Sequence, residues 1–137
     1  MNNNIEEEIV NTFIKENKQT RIISELRNPE KRKTIMIRRF ASDGLFKGNC
    51  IHLVSYMSPS ILEKCLFDLS KEEEVYYIGE YYIGALPLHE AVLRANTGEL
   101  CIIYCGKGIG YYQGEQDHGK PPRCFLYKNE MMNHIHR

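Results

Sequence analysis

The chain has 137 residues, 42% hydrophobic and 26% charged, with 18 basic and 18 acidic side chains in formal balance. This composition excludes a disordered protein and fits one core, so a single α+β domain over residues 1–137 is expected. A formal net charge of zero argues neither for nor against nucleic acid, and it gives little protection against self-association, so a homo-oligomer is allowed.

No run approaches the ~20 apolar residues that span a bilayer. The start, Met1-Asn2-Asn3-Asn4-Ile5-Glu6-Glu7-Glu8, is polar and acidic, without the apolar region of a signal peptide. No membrane association and a cytoplasmic location follow as expectations. The five cysteines, Cys50, Cys65, Cys101, Cys105 and Cys124, agree with them. Their number is odd and no Cys-x-x-Cys pair occurs, so neither a disulfide framework nor a common zinc site is indicated. Cys101 and Cys105 share one strand face but stand about 13 Å apart by strand rise, too far for a disulfide.

In chain order, Ile5, Ile9, Phe13 and Ile14 recur at helical spacing, and the spacing predicts a helix over about 4–17 with Glu6, Glu7 and Glu8 at its start. A second short helix is expected over 20–27. Asn28-Pro29 restarts a helix, with Asn as N-cap and Pro in the first turn, running to about 41. On it Met36, Ile37 and Phe40 share one side, while Lys31, Arg32, Arg38 and Arg39 spread over the other.

Residues 49–56 read as a strand. Ser58-Pro59 opens another helix, whose Ile61, Leu62, Cys65, Leu66 and Leu69 make a buried stripe. Val75 to Ile78 reads as a strand, followed by a bend at Gly79-Glu80 and a second extended piece through Tyr81, Tyr82 and Ile83. A helix over 86–96 buries Leu88, Val92 and Ala95. From Glu99 to Lys128 three apolar runs, separated by Gly106-Lys107-Gly108 and by a polar loop at 114–122, predict a three-stranded antiparallel meander. The tail at 129–137 has no fold signal and is expected to fray. Its His134 and His136 are too weak a pair to indicate a metal. Helices come first and strands cluster late, without regular βαβ alternation. The expected class is therefore α+β, with N-terminal helices packed on a mainly antiparallel sheet.

Chemistry concentrates in three places. Gly106-Lys107-Gly108-Ile109-Gly110 lacks the spacing and the following helix of a phosphate loop or dinucleotide fingerprint, so no cofactor is indicated. It reads first as a turn, and Lys107 as a candidate anion contact. The loop at 115–123 packs Glu115, Asp117, His118, Lys120 and Arg123 into nine positions. His118 beside Glu115 or Asp117 is raw material for general acid–base chemistry, while Lys120 and Arg123 suit a phosphate or carboxylate. Tyr81 and Tyr82 offer amphipathic surface for stacking or subunit contact. The basic cluster Lys31, Arg32, Arg38 and Arg39 suits a phosphate track, but no interleaved aromatic residues or recognition motif accompany it, which disfavours nucleic acid.

The stretch from Asn17 to Arg32 with Arg39-Phe40, then Leu86-Pro87-Leu88-His89-Glu90-Ala91, then the Gly114 to Arg123 turn resembles a family of small uncharacterised bacterial and phage proteins. That family has no assigned activity, so the resemblance implies an origin and nothing about chemistry.

Three readings follow. The first is a non-enzymatic binding protein that holds an anionic, nucleotide-like small molecule or a partner protein through Lys107, Lys120, Arg123, Tyr81 and Tyr82. Immunity and counter-defence proteins of this size offer an analogy. The second is a small phosphate-ester or nucleotide hydrolase or transferase using His118 with Glu115 or Asp117. The third is a nucleic-acid binder using the basic helix.

Overall fold

A computed structural model describes residues 3–41, 43–115 and 122–128. Two groups of helices enclose a six-stranded antiparallel sheet of order β1-β6-β5-β4-β2-β3. The class is α+β, with the N-terminal helices preceding the strands. The strands are β1 (Ile51–Leu53), β2 (Glu74–Gly79), β3 (Ile83–Pro87), β4 (Cys101–Gly106), β5 (Ile109–Gln113) and β6 (Arg123–Tyr127). The last three form the expected C-terminal meander. The tail at 129–137, including His134 and His136, lies outside the described residues.

The helices before β1 are α1 (Asn3–Phe13), α2 (Glu16–Arg27), α3 (Pro29–Arg32) and α4 (Ile35–Arg39); α5 (Pro59–Ser70) and α6 (Leu88–Asn96) follow. None is long enough to hold itself together in water, so burial of an apolar stripe must stabilise each one. Every strand residue has two faces to satisfy. On one face Tyr76, Ile78, Ile102, Tyr104, Tyr112, Cys124 and Leu126 pack with Ile9, Phe13, Ile22 and Met36 from the N-terminal helices. On the other, Tyr77, Ile103, Cys105, Tyr111, Phe125 and Tyr127 pack with Leu66, Ala91 and Val92 from α5 and α6. Coverage on both faces explains the continuous apolar runs in these strands.

Several expected elements have different bounds. The helix expected over 20–27 spans Glu16–Arg27, and the one expected over 86–96 starts at Leu88, with Leu86 and Pro87 ending β3. The first helix ends at Phe13, because Ile14 bridges to Phe46 and Lys15 donates to the Leu45 carbonyl. The helix expected over 28–41 is broken at Lys33 and Thr34 into α3 and α4. Asn28 does cap α3, accepting from the Glu30 and Lys31 amides. The break lets Arg32 reach back to Glu6 while Ile35, Met36 and Phe40 enter the core. Ile37, expected inward, is 54% exposed. The strand expected over 49–56 is confined to β1.

The turn between β4 and β5 is Lys107-Gly108, with positive φ at both (57° and 74°) and Gly106 opposite Ile109. Two left-handed central residues are the signature of the type I′ hairpin, whose twist matches the flanking strands. All five cysteines are free thiols; Cys65 is half-buried and the other four are buried.

Candidate functional site

Strand register separates the candidate residues. Gly79, Cys101, Gln113 and Arg123 form one row across β2, β4, β5 and β6. That row marks one end of the sheet. Lys107 sits in the turn at the other end, beyond the full length of β5 from Arg123, so the two are more than about 13 Å apart at a strand rise of ~3.3 Å per residue. Lys107 Nζ lies 3.2 Å from Glu72 Oε2 and donates to the Ser70 carbonyl at 3.2 Å. A cation at the C-terminus of α5 satisfies exposed carbonyls and complements the helix dipole.

The basic cluster is largely spent inside the fold. Arg32 forks onto Glu6 with Nη1–Oε1 and Nη2–Oε2 distances of 2.7 and 2.6 Å. Arg39 does the same to Glu25 at 2.8 and 2.6 Å, and Arg38 lies 3.9 Å from the same carboxylate. Glu6 and Glu25 are buried at 2% and 4% exposure, where an ionised carboxylate survives only if paired. The Arg39 hydrogen bond, followed by the nearby positive charges, holds the Glu25 carboxyl below its ordinary range despite burial. Lys31 remains exposed. These pairs join α1 to α3 and α2 to α4 and engage Arg32, Arg38 and Arg39 with carboxylates of the fold.

Tyr81 and Tyr82 share the 79–83 bend but do different things. Tyr81 is 83% exposed, and its amide donates to Glu99 Oε2 at 3.2 Å. Tyr82 lies under the Arg94 guanidinium, 5.1 Å from its ring centroid, and its hydroxyl donates to the Ala85 carbonyl at 3.0 Å. The bend is tight, and a side chain at Gly79 would collide with Glu99 and the Tyr77 ring.

Arg123 is placed differently from the other arginines. Its guanidinium stacks over Tyr56, 5.2 Å from the ring centroid. Tyr56 in turn donates its hydroxyl to Asn96 Oδ1 at 2.8 Å. Arg21, Arg27, Arg32, Arg38, Arg39 and Arg94 each lie within 4.0 Å of a carboxylate. Among the described residues, Arg123 is the one arginine in no such pair. Beside it Tyr56 is 55% exposed, and Val54 donates to the Arg123 carbonyl. No family model, no curated protein and no solved structure matches this chain.

The space beside Arg123, bounded by Tyr56, Met57, Leu62 and Gln113, is only about 10 Å³, room for about one water. Gln113 below it is fixed, donating to the Ala95 and Glu99 carbonyls at 2.7 and 2.9 Å and accepting from Tyr111 at 3.0 Å. The adjoining loop leaves the sheet at Glu115, whose amide donates to the Ala41 carbonyl at 3.3 Å. It returns at Pro122, whose carbonyl accepts from Gly114 at 2.8 Å. Asp117, His118 and Lys120 lie outside the described residues.

One acid–histidine pair escaped the sequence. His89 Nδ1 lies 2.9 Å from Glu63 Oε1, in a cleft of about 320 Å³ lined also by Phe67, Glu73, Pro87 and Leu88. The two residues are 26 positions apart on α5 and α6, so no local motif could have marked them. Both are substantially exposed, and the cleft lining includes no serine or cysteine for the pair to activate. Among the described residues, no group of three or more His, Cys, Asp or Glu is arranged to hold a metal ion, and no helix is long and apolar enough to cross a membrane.

Proposed function

We propose that this protein is a non-enzymatic binding module that recognises a partner protein through Arg123 and Tyr56, taking an acidic side chain of that partner onto the Arg123 guanidinium. The supporting observation is the pairing of every other described arginine with a carboxylate, while Arg123 rests on an exposed tyrosine. Tyrosine and arginine are among the residues that most often dominate interface energetics. A guanidinium stacked on an aromatic ring and also in reach of the Tyr111 hydroxyl still carries further N–H donors that can turn to a carboxylate. A protein partner is favoured over a nucleotide-like small molecule because the space beside Arg123 is about 10 Å³, whereas small-molecule sites enclose some hundreds of Å³. The immunity and counter-defence analogy is compatible with this reading and adds no residue to it.

The test is a peptide-display selection against the intact protein, with affinities of the recovered peptides measured by fluorescence anisotropy. Acidic peptides are expected, with binding weakened tenfold or more by Arg123→Ala and by Tyr56→Ala, and only partly preserved by Arg123→Lys, which keeps charge but loses the fork. Unchanged affinity in Arg123→Ala refutes the proposal. A thermal-shift response to nucleotides that Arg123→Ala removes would return the small-molecule reading. Turnover of such a nucleotide, abolished by His118→Ala, would return the enzymatic one.

A further inference from the structure

We propose that β3 is a self-pairing edge, at which a second copy of this chain adds its own β3 antiparallel across a two-fold axis at Gly84. β3 is the terminal strand of the sheet. Its ladder with β2 pairs Tyr77 with Gly84 and Val75 with Leu86, flanked by hydrogen bonds from the Gly79 amide to the Tyr82 carbonyl and from the Leu88 amide to the Glu73 carbonyl. By the alternation of an antiparallel ladder, Ile83 and Ala85 turn their backbone N–H and C=O groups away from β2. The Tyr82 hydroxyl occupies one lone pair of the Ala85 carbonyl and leaves the other open. Ile83-Gly84-Ala85-Leu86 carries none of the charges with which edge strands ordinarily resist pairing.

Charge complementarity identifies the occupant. At the Ile83 end of β3, Arg32 and Lys33 line a cleft of about 230 Å³ with Glu80, Tyr81 and Tyr82. At the Ala85 end, Glu8 and Glu74 line a cleft of about 280 Å³ with Ile5 and Tyr76. Lys33 and Glu74 are both exposed, and neither is in an ion pair with a described residue. A two-fold at Gly84 sets Ile83 opposite Ala85 of the second copy, so the outward groups of these two residues make four reciprocal hydrogen bonds. Arg32 is already spent on Glu6, so Lys33 is the cation this end offers, and the same operation lays Lys33 of each copy toward Glu74 of the other, twice. A parallel arrangement would set like charges together. An unrelated strand would pair with the backbone but has no reason to match both clefts. Zero net charge puts no overall repulsion between copies. The strand is short, so the contact falls below the area of a permanent dimer and the association is concentration-dependent.

Sedimentation equilibrium of the full chain over a wide concentration range tests this. A reversible monomer–dimer equilibrium that weakens with salt is expected. Ala85→Pro removes an outward donor without touching the β2 ladder and should abolish dimerisation, as should Ala85→Lys. Lys33→Glu and Glu74→Lys should each weaken it about tenfold, and the double exchange should restore it. Thermal melts of these surface variants verify folding. A monomer at every concentration overturns the proposal. So does a dimer that survives Ala85→Pro and Ala85→Lys, or a double exchange no tighter than the single variants. Arg123 lies four strands away on β6, so Arg123→Ala should leave the dimer unchanged whatever becomes of partner recognition.

Discussion

Replacing Arg32 by methionine removes the fork from Glu6 while keeping most of the aliphatic packing. Glu6 is 2% exposed and would be left as a carboxylate with the Tyr76 hydroxyl as its remaining donor. Stripping one partner from a buried ion pair costs about 3–5 kcal/mol, because the other charge stays buried without compensation. Glu6→Gln is milder. It keeps an acceptor for Tyr76 and strands only Arg32, whose side chain is 29% exposed and still reaches the Leu26 carbonyl at 2.9 Å. Loss of one charge-assisted interaction there is worth about 1.5–3 kcal/mol. The decisive quantity is the combination. Adding Glu6→Gln to Arg32→Met removes the orphaned charge, so the double variant should be more stable than Arg32→Met alone by about 1–2 kcal/mol. Urea unfolding followed by circular dichroism reads this directly. With a slope near ~2 kcal/mol per molar, Arg32→Met should lower the midpoint by roughly 1.5–2.5 M. A midpoint for Arg32→Met equal to the unmodified protein's, or a double variant no better than Arg32→Met, would refute the account of Glu6 as a buried charge dependent on Arg32.

Two further outcomes follow from the same physics. Glu25 has a folded-state pKa below its unfolded value, so its contribution is present above the unfolded pKa of about 4.3 and is lost as pH falls through the folded value. Glu25→Gln should therefore lower stability at pH 7 and flatten the acid limb of a stability–pH curve; an unchanged acid limb would count against the Arg39 pairing. Burial pushes the Cys101 and Cys105 thiols up to about 12, and Cys50 and Cys124 are also buried. A disulfide reagent at pH 8 should label Cys65 first in the native protein, with Cys65→Ser removing the fast phase; rapid labelling that survives Cys65→Ser would contradict the burial of the other four.

Much of the fold was legible because short-range patterns encode it. The apolar runs at 101–105 and 123–127, with a glycine turn between the first two strands, specify antiparallel pairing by alternation and turn chemistry. Asn28-Pro29 and Ser58-Pro59 mark helix starts through backbone constraints that need no neighbour. The break at Lys33-Thr34 was not legible, since it accompanies a contact between Arg32 and Glu6, 26 residues apart. The basic cluster misled for the same reason. Sequence reports that four cations are close together, but not that buried carboxylates on α1 and α2 lie within ion-pair distance of three of them.

The candidate site divides along the same line. Sequence by itself determined the α+β class, the C-terminal meander, the presence of a turn at Lys107 and the charge density of the loop that ends at Arg123. Only tertiary structure decided that Lys107 and Arg123 lie at opposite ends of the sheet, that Lys107 serves the end of α5, and that Arg123 stands on Tyr56 without a described carboxylate. The physical reason is range. Turns, caps and alternation act over a few residues and are written in the chain, whereas the partner of a charge is chosen by which segments the core brings together.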